Sequence, residues 1–360
     1  MLTERGLTHA VMEGQGAYNK HAKLQADGAA LALPVLEKAI REMEVDAGES
    51  PLVVADYGSS QGKNSMIPMQ ATIKGLRKRI GPDRAISVYH IDQPANDFNS
   101  LFEVLQVDRN SYIAGEAEVY SAAVGKSFYE QVLPSGFVHL GWCSYAAMWL
   151  SRLPALIPGH FISVRSTGTV RAAFERQAAQ DWEKFLTLRA RELRVGGRLL
   201  VVLPGVSDDG LAGLEPMFDQ GNAVLEEMAT DGVITPEERS GMTLTNHVRQ
   251  KRELLAPFKD SGTFQQLTVE DFQVSELTDS AWVQYQQDGN MEPLASGRAL
   301  FFRSAFLPSL ASALSPSRPG NGTALSDFGD QLEQRLKRRL ASLAVPMHTC
   351  VQTMLMAKKE

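Results

Sequence analysis

Short apolar runs alternate with helically spaced apolar positions through the first half of the chain. LVVADY (52–57), entered from Pro51 and closed by Gly58, predicts a strand. A helix is expected across 64–80, stopping before Gly81-Pro82, followed by a strand at 86–91 (ISVYHI) and a third, short strand near 112–114. Phe98, Leu101, Phe102 and Leu105 recur at helical spacing within 97–105, and FVHLGW (137–142) is strand-like. Trp182, Phe185 and Leu186 form one helical stripe that Leu193 continues, with Arg194 and Gly196-Gly197 as the stop. RLLVVLP (198–204) then has the continuous apolar character of a parallel strand covered on both faces. Strands alternating with helices in this way predict an α/β sheet with right-handed crossovers.

Beyond Pro204 the pattern turns helical over 215–231 and 236–259, broken by Gly232 and by Thr235-Pro236. Residues 263–275 return to strand character, and 347–358 read as a last strand. Leu332, Leu336, Leu340 and Leu343 share one face of a helix over 327–344, whose RLKRR run reads as its solvated face. The Ser-, Ala-, Pro- and Gly-rich stretch 308–326 reads as a mobile loop. The expected division is an N-terminal segment and Rossmann-like core over 1–205, a helical cap over 206–260, a core strand within 261–283, further cap and loop over 284–344, and a C-terminal core strand over 345–360.

Composition narrows the function. Hydrophobic residues at 44% and charged residues at 22% match a globular chain and argue against disorder. Lys plus Arg number 36 against 42 Asp plus Glu, a net charge of −6, which disfavours nucleic-acid binding. Cys143 and Cys350 cannot build a disulfide framework, and a reducing cytoplasm is the simplest setting. The N-terminal residues lack a signal-peptide pattern, and the most apolar run, LLVVL (199–203), is far shorter than a membrane span. A soluble, intracellular protein is expected.

The first strand-to-helix turn, Gly58-Ser-Ser-Gln-Gly62-Lys-Asn64, is the leading site for chemistry. Its glycines let backbone pass close to a ligand and aim helix N-terminal N–H groups at it. Asp56 lies at the C-terminal end of the strand, where ligands of open α/β sheets bind. The dinucleotide fingerprint is absent. Asp92, ending the second strand, suits the two hydroxyls of a ribose or, equally, an exposed loop acid. The same turn spells G-x-S-x-G around Ser60, the elbow of an α/β-hydrolase, but no oxyanion loop precedes it, and Asp209 and His247 are a pairing any long chain offers. The seven histidines are scattered without metal-ligand spacing, so no metal is expected. In CSYAAMWLSRLP (143–154), Tyr145, Met148 and Trp149 stand at helical spacing. Core packing explains Met148, whereas buried Tyr and Trp each need a partner for a polar hydrogen.

Several segments together resemble the SABATH family of S-adenosylmethionine-dependent methyltransferases, which methylate carboxyl groups of small acids or ring nitrogens of xanthines. AYNKHAKLQ (17–25) resembles that family's S-Y-A-x-N-S-x-x-Q, and ADYGSSQGKNS (55–65) its A-D-L-G-C-S-S-G-x-N-T. HIDQPANDFNSLF (90–102), GKSFYEQVLP (125–134), the 143–154 segment and FLTLRARELRVGGRLLVVLPG (185–205) follow in the family's order. The resemblance implies a class I methyltransferase fold with a mainly helical cap. It implies Asp56, Gly58 and Asn64 around the methionine part of S-adenosylmethionine, and Asp92 with Gln93 at the ribose. Ser127 and Phe128 would take the adenine, and Cys143, Ser144 and Tyr145 the sulfonium side. Tyr18, Gln25, Tyr145, Met148 and Trp149 would form the acceptor pocket, with Gln25 and Trp149 aiming donors at a carboxylate and Tyr18 also near the cofactor. His21 and Ala22 replace the family's Asn-Ser, and Gln61 stands where Ser is usual. The implied reaction is methyl-ester formation on a small carboxylic acid (salicylate-, benzoate- or indole-acetate-like). A carboxylate is already ionised at neutral pH and needs no general base. Alternatives are methylation of a nitrogen or phenol, for which His21 is the nearest base by sequence, or a catalytically silent cofactor-binding protein. The family also implies a possible homodimer.

Overall fold

The computed structural model describes residues 12–206, 210–316 and 324–360. Eight strands form one sheet: β1 (Leu52–Tyr57), β2 (Ile86–Asp92), β3 (Val119–Gly125), β4 (Val138–Ser144), β5 (Leu193–Gly205), β6 (Thr263–Phe264), β7 (Leu267–Leu277) and β8 (Thr349–Lys358). Their spatial order is β3-β2-β1-β4-β5-β8-β7-β6. The first five run parallel, while β8, β7 and β6 are antiparallel additions at one side. The chain steps outward from β1 to β3 and then restarts at β4 on the other side of β1. That reversal opens a crevice beyond the C-terminal ends of β1 and β4.

The helices are α1 (Ala17–His21), α2 (Lys23–Leu31), α3 (Leu33–Glu42), α4 (Met66–Ile80), α5 (Phe98–Val107), α6 (Gly168–Glu192), α7 (Glu215–Thr230), α8 (Pro236–Gly241), α9 (Lys251–Leu255), α10 (Ser280–Asp288), α11 (Met291–Ala311) and α12 (Ala324–Ala341). Alternation along the strands divides the core. Leu52, Val54, Val88, Leu140 and Leu200 face α2 to α5, whereas Val53, Ala55, Tyr57, Leu199 and Val201 face Trp182 and Phe185 of α6. A third apolar core belongs to the cap, where Phe161, Phe218, Phe302, Phe306, Leu332 and Leu336 pack together and Trp149 joins them from the sheet side.

Four local expectations are corrected. The third strand lies at Val119–Gly125, not 112–114, because Tyr112 is buried in a turn by its hydrogen bond to His90. As an edge strand β3 is only partly covered and Tyr120 is exposed, so its sequence lacks a strong apolar signature. Helix α6 ends at Glu192, and Leu193 already pairs with Val138 in β5. Gly196, with φ 78°, serves an irregularity inside that strand, not a helix stop. The helix expected over 236–259 is split. Residues 242–250 are non-helical and run beside 148–150, where the Leu150 N–H donates to the Thr245 carbonyl at 2.8 Å and the His247 N–H to that of Met148 at 2.9 Å. Finally, the expected loop at 308–326 begins inside α11, which carries Pro308 and buries Ser309 and Leu310, and ends inside α12, while its residues 317–323 lie outside the described residues. No helix among the described residues is long and apolar enough to cross a membrane.

Candidate active site

The turn after β1 is built on left-handed backbone: Gly58 at φ 88°, Ser60 at 48° and Gly62 at 84°. A Cβ at Gly58 would stand 2.1 Å from that of Ala146, so the turn and the segment after β4 approach as closely as glycine permits. The Ser60 N–H donates to Asp92 Oδ2 at 2.6 Å and the Gln93 N–H to Oδ1 at 2.7 Å. The carboxylate of β2 is thereby fixed at the mouth of the turn. Burial pushes its pKa up to about 6, offset in part by those two N–H groups. Asn96 donates to the Ser60 carbonyl at 2.8 Å. Beneath the turn, Asp56 is almost fully buried and accepts from Ser65 Oγ at 2.6 Å. It also meets His90 Nδ1 at 2.9 Å, and His90 Nε2 meets the Tyr112 hydroxyl at 2.7 Å.

Helices α1 and α2 are stitched to the same turn. Asn19 donates to the Gln61 carbonyl at 3.0 Å and accepts from the Lys63 N–H at 3.1 Å. Gln61 Nε2 donates to the Glu13 carbonyl at 2.6 Å, and Asn64 to that of Ala22 at 3.2 Å. These ties bring Tyr18 and Gln25 onto a cavity wall. After β4 the backbone turns at Tyr145, which has φ 56°. The Tyr145 hydroxyl lies 2.1 Å from where a Cβ of Gly28 would be, so its position depends on that glycine. Tyr129 donates its hydroxyl to the Trp149 carbonyl at 2.6 Å.

The result is one cavity of about 1160 Å³, its open mouth included, between the sheet's C-terminal edge, α1 and α2, and the cap. Tyr18, Gln25, Gly58, Asp92, Gln93, Phe128, Ser144, Tyr145, Met148 and Trp149 all line it. Asp56, Asn64, Ser127 and Cys143, implied as cofactor residues, are not among the residues that line it. Asp56 and Asn64 hold the turn as described, Ser127 Oγ accepts from the Tyr129 N–H at 3.2 Å, and Cys143 is buried in the α6-side core with its thiol pushed up to about 12 by burial. The sequence reading missed Asn96, although it lies in the 90–102 segment, and Asn246, Phe218 and Phe306. The last three arrive from cap segments in which the sequence carries no chemical motif. Trp149 and Phe306 lie 6.5 Å apart between ring centroids, and Phe218 is 5.6 Å from Phe306, an aromatic wall on the cap side.

Among the described lining residues there is no Lys, Arg or His, and Asp92 is the sole carboxylate. Burial raises the Tyr18, Tyr129 and Tyr145 phenols well above their ordinary value, so they stay neutral. His21 lines a separate outer hollow that borders the cavity through Leu24, Phe301 and Thr349. Ser60 makes no hydrogen bond to a histidine. His247 pairs with Glu253 at 3.0 Å, and Asp209 lies outside the described residues, so a hydrolytic triad gains no support. The described residues contain no cluster of His, Cys, Asp and Glu able to hold a metal ion.

An open α/β sheet with a glycine turn at its first strand and an acid ending its second defines a nucleoside-binding enzyme of the class I methyltransferase type. The chain belongs to the SAM dependent carboxyl methyltransferase family, whose model matches residues 5–355. It uses S-adenosylmethionine as methyl donor. It is 22% identical over 373 residues to gibberellic acid methyltransferase 2 of Arabidopsis thaliana, covering 95% of this chain and 92% of that protein. It is 25% identical over 289 residues to salicylate carboxymethyltransferase of Clarkia breweri, covering 77% and 78%. Its fold is that of a solved loganic acid methyltransferase with SAH, with a TM-score of 0.77 at 22% identity over 98% of this chain and 99% of that one.

The residues present fit that donor. Ser60 Oγ is buried with no partner, Gly58 leaves its face of the turn open to close approach, and Asp92 sets two carboxylate oxygens at the crevice.

Proposed function

We propose that this enzyme forms the methyl ester of a small carboxylic acid, and that the chain supplies no general base. The observation that carries this reading is the cavity lining, which among the described residues offers neutral donors and no Lys, Arg or His, while its one carboxylate, Asp92, already accepts from the Ser60 and Gln93 N–H groups at the turn. A nitrogen or phenol acceptor must lose a proton, whereas a carboxylic acid with a pKa near 4 has already lost it at neutral pH. Relatives named for gibberellic acid, salicylate and loganic acid support the same class.

When bound, S-adenosylmethionine supplies an electrophilic methyl on a cationic sulfonium. Asp92 and Gln93 would hold the ribose, Phe128 would cover the adenine, and Ser144 and Tyr145 would flank the sulfonium side. Gln25 and Trp149 orient the acceptor carboxylate so that one oxygen is held and the other faces the methyl. Neutral donors suit that task. Charge on the acceptor falls as the ester forms, and an Arg would stabilise the starting carboxylate more than the transition state. The cap, through Phe218, Phe301 and Phe306, closes the acceptor end against water. Alignment and exclusion of water are the chain's contribution, and positioning of this kind can supply roughly 7–11 kcal/mol of barrier lowering.

The test is incubation of the purified protein with methyl-labelled donor and a panel of small acids, phenols and amines, followed by extraction of apolar products. Labelled methyl esters are expected. Label on nitrogen or phenolic oxygen alone, or donor binding without transfer, would overturn the reading. Gln25→Ala and Trp149→Ala should lower kcat/KM for the acid by about 100-fold or more while changing donor affinity little.

A further inference from the structure

Asn246 lines the cavity and is 1% exposed, yet neither its Oδ1 nor its Nδ2 has a hydrogen-bond partner. Its backbone, by contrast, is clamped. It bridges Trp149 in antiparallel register, flanking bonds join Thr245 to Leu150 and His247 to Met148, and Ser163 Oγ donates to its carbonyl at 2.9 Å. Paired residues of an antiparallel bridge project to the same face, with Cβ atoms roughly 4.5–5.5 Å apart. The amide therefore stands beside the Trp149 indole in a cavity whose nearby cap-side wall is apolar, including Ile162, Phe218 and Phe306. Leaving a buried polar group unpaired is costly, so such groups are normally satisfied. A rigidly held amide with both atoms unmet, in a cavity wall, marks a place where a ligand completes the bonding.

We propose that Asn246 is a specificity-determining residue of the acceptor site, binding a second polar group that the acceptor carries apart from its carboxylate. The amide offers both a donor and an acceptor, and a hydroxyl uses both. The preferred acceptor is thus a carboxylic acid with an apolar frame and a hydroxyl set away from the reacting group. This rests on the proposed carboxyl methylation and narrows its substrate class. A site built to hydrogen-bond a hydroxyl rejects the analogue without it, because its own polar groups are then stranded.

The experiment compares matched acids with and without a hydroxyl: benzoate and its monohydroxy isomers, cyclohexanecarboxylate and its hydroxy derivatives, octanoate and its hydroxy derivatives. The full chain should favour at least one hydroxylated member over its parent by about tenfold or more in kcat/KM. Asn246→Leu should bring that ratio to about one, with the larger loss falling on the hydroxylated member. A merely structural role would lower both members together, which overturns the proposal. Asn246→Ala replaces the leucine variant should the latter fail to fold. The same pairs are titrated calorimetrically into protein saturated with S-adenosylhomocysteine. A hydroxyl preference in binding that Asn246→Leu abolishes supports the proposal even without ester formation, in which case the carboxyl-methylation reading alone fails. No hydroxyl preference in either assay, or a preference unchanged by the substitution, overturns it.

Discussion

Replacing Arg189 by Leu tests how the part of the cavity wall that carries Phe128 is held. Arg189 and Glu192 are fully buried and meet at 2.8 Å. Arg189 also donates to the Phe128 carbonyl at 2.8 Å and that of Glu130 at 3.1 Å, and its guanidinium lies 4.3 Å from the Tyr57 ring centroid. Glu192 accepts from the Tyr57 hydroxyl at 2.7 Å, the Val132 N–H at 2.7 Å and the Leu133 N–H at 3.3 Å. One pair of charges thus fixes residues 128–133 against β1 and α6. Arg189→Leu leaves the Glu192 carboxylate buried without its counter-charge, which costs about 3–5 kcal/mol. Scaled to a chain of 360 residues, that lowers Tm by about 4–7 °C. Thermal unfolding read by circular dichroism measures this, and calorimetric titration of S-adenosylhomocysteine at a temperature where the variant is folded reads the second consequence, weaker binding through a displaced Phe128. Glu192→Gln keeps the shape and an oxygen to accept from Arg189 and the Val132 and Leu133 N–H groups, while its amide nitrogen would donate to the Tyr57 hydroxyl, so its loss should be smaller. A Tm change below about 1 °C for Arg189→Leu, or equal losses for the two variants, would refute the buried-pair reasoning.

Other expectations follow from the same geometry. Because burial raises the Asp92 pKa to about 6, donor affinity measured by calorimetry should rise between pH 5 and 7 as the carboxylate ionises, and Asp92→Asn should flatten that profile. The sign for stability is opposite: the folded state holds this proton more tightly than the unfolded chain, so the Asp92 contribution to the Tm of the ligand-free protein falls as pH rises towards 6, a slope that Asp92→Asn should remove. Gly28→Ala, which in an ordinary helix interior stabilises by about 0.8–1.0 kcal/mol, should here push the Tyr145 hydroxyl from a position 2.1 Å from the new Cβ. Steady-state kinetics should show a raised acceptor KM, and an unchanged KM would show that Tyr145 does not shape the acceptor site.

Most strands were legible because a central parallel strand is apolar throughout, as Leu52–Tyr57 and the 198–204 run are, and no other element explains such a run between turn residues. The edge strand Val119–Gly125 was not, since partial exposure relaxes the demand for apolar residues. Leu193 misled because burial in a helix and burial in a strand leave the same mark on one residue. At the site, the glycine turn, Asp92 and the Tyr145–Trp149 segment were found through local chemistry at strand ends. Asp56 and Asn64 sit in the same motifs, yet their side chains are engaged by His90, Ser65 and the Ala22 carbonyl and are not among the cavity lining. A motif fixes where a residue falls along the chain and leaves open which way its side chain turns.

The sequence by itself determined the α/β sheet, the crevice-side turn with its left-handed glycines, and the acid that ends the second strand, because each depends on residues close together in the chain. Only the tertiary structure decided what closes the cavity. The Gln61 and Asn64 ties to α1 and α2, the Asn246 bridge to Trp149 and the Phe218–Phe306 wall join segments 42 to 97 residues apart. Such pairings are selected by packing and hydrogen-bond satisfaction across the whole fold, and no local periodicity encodes them.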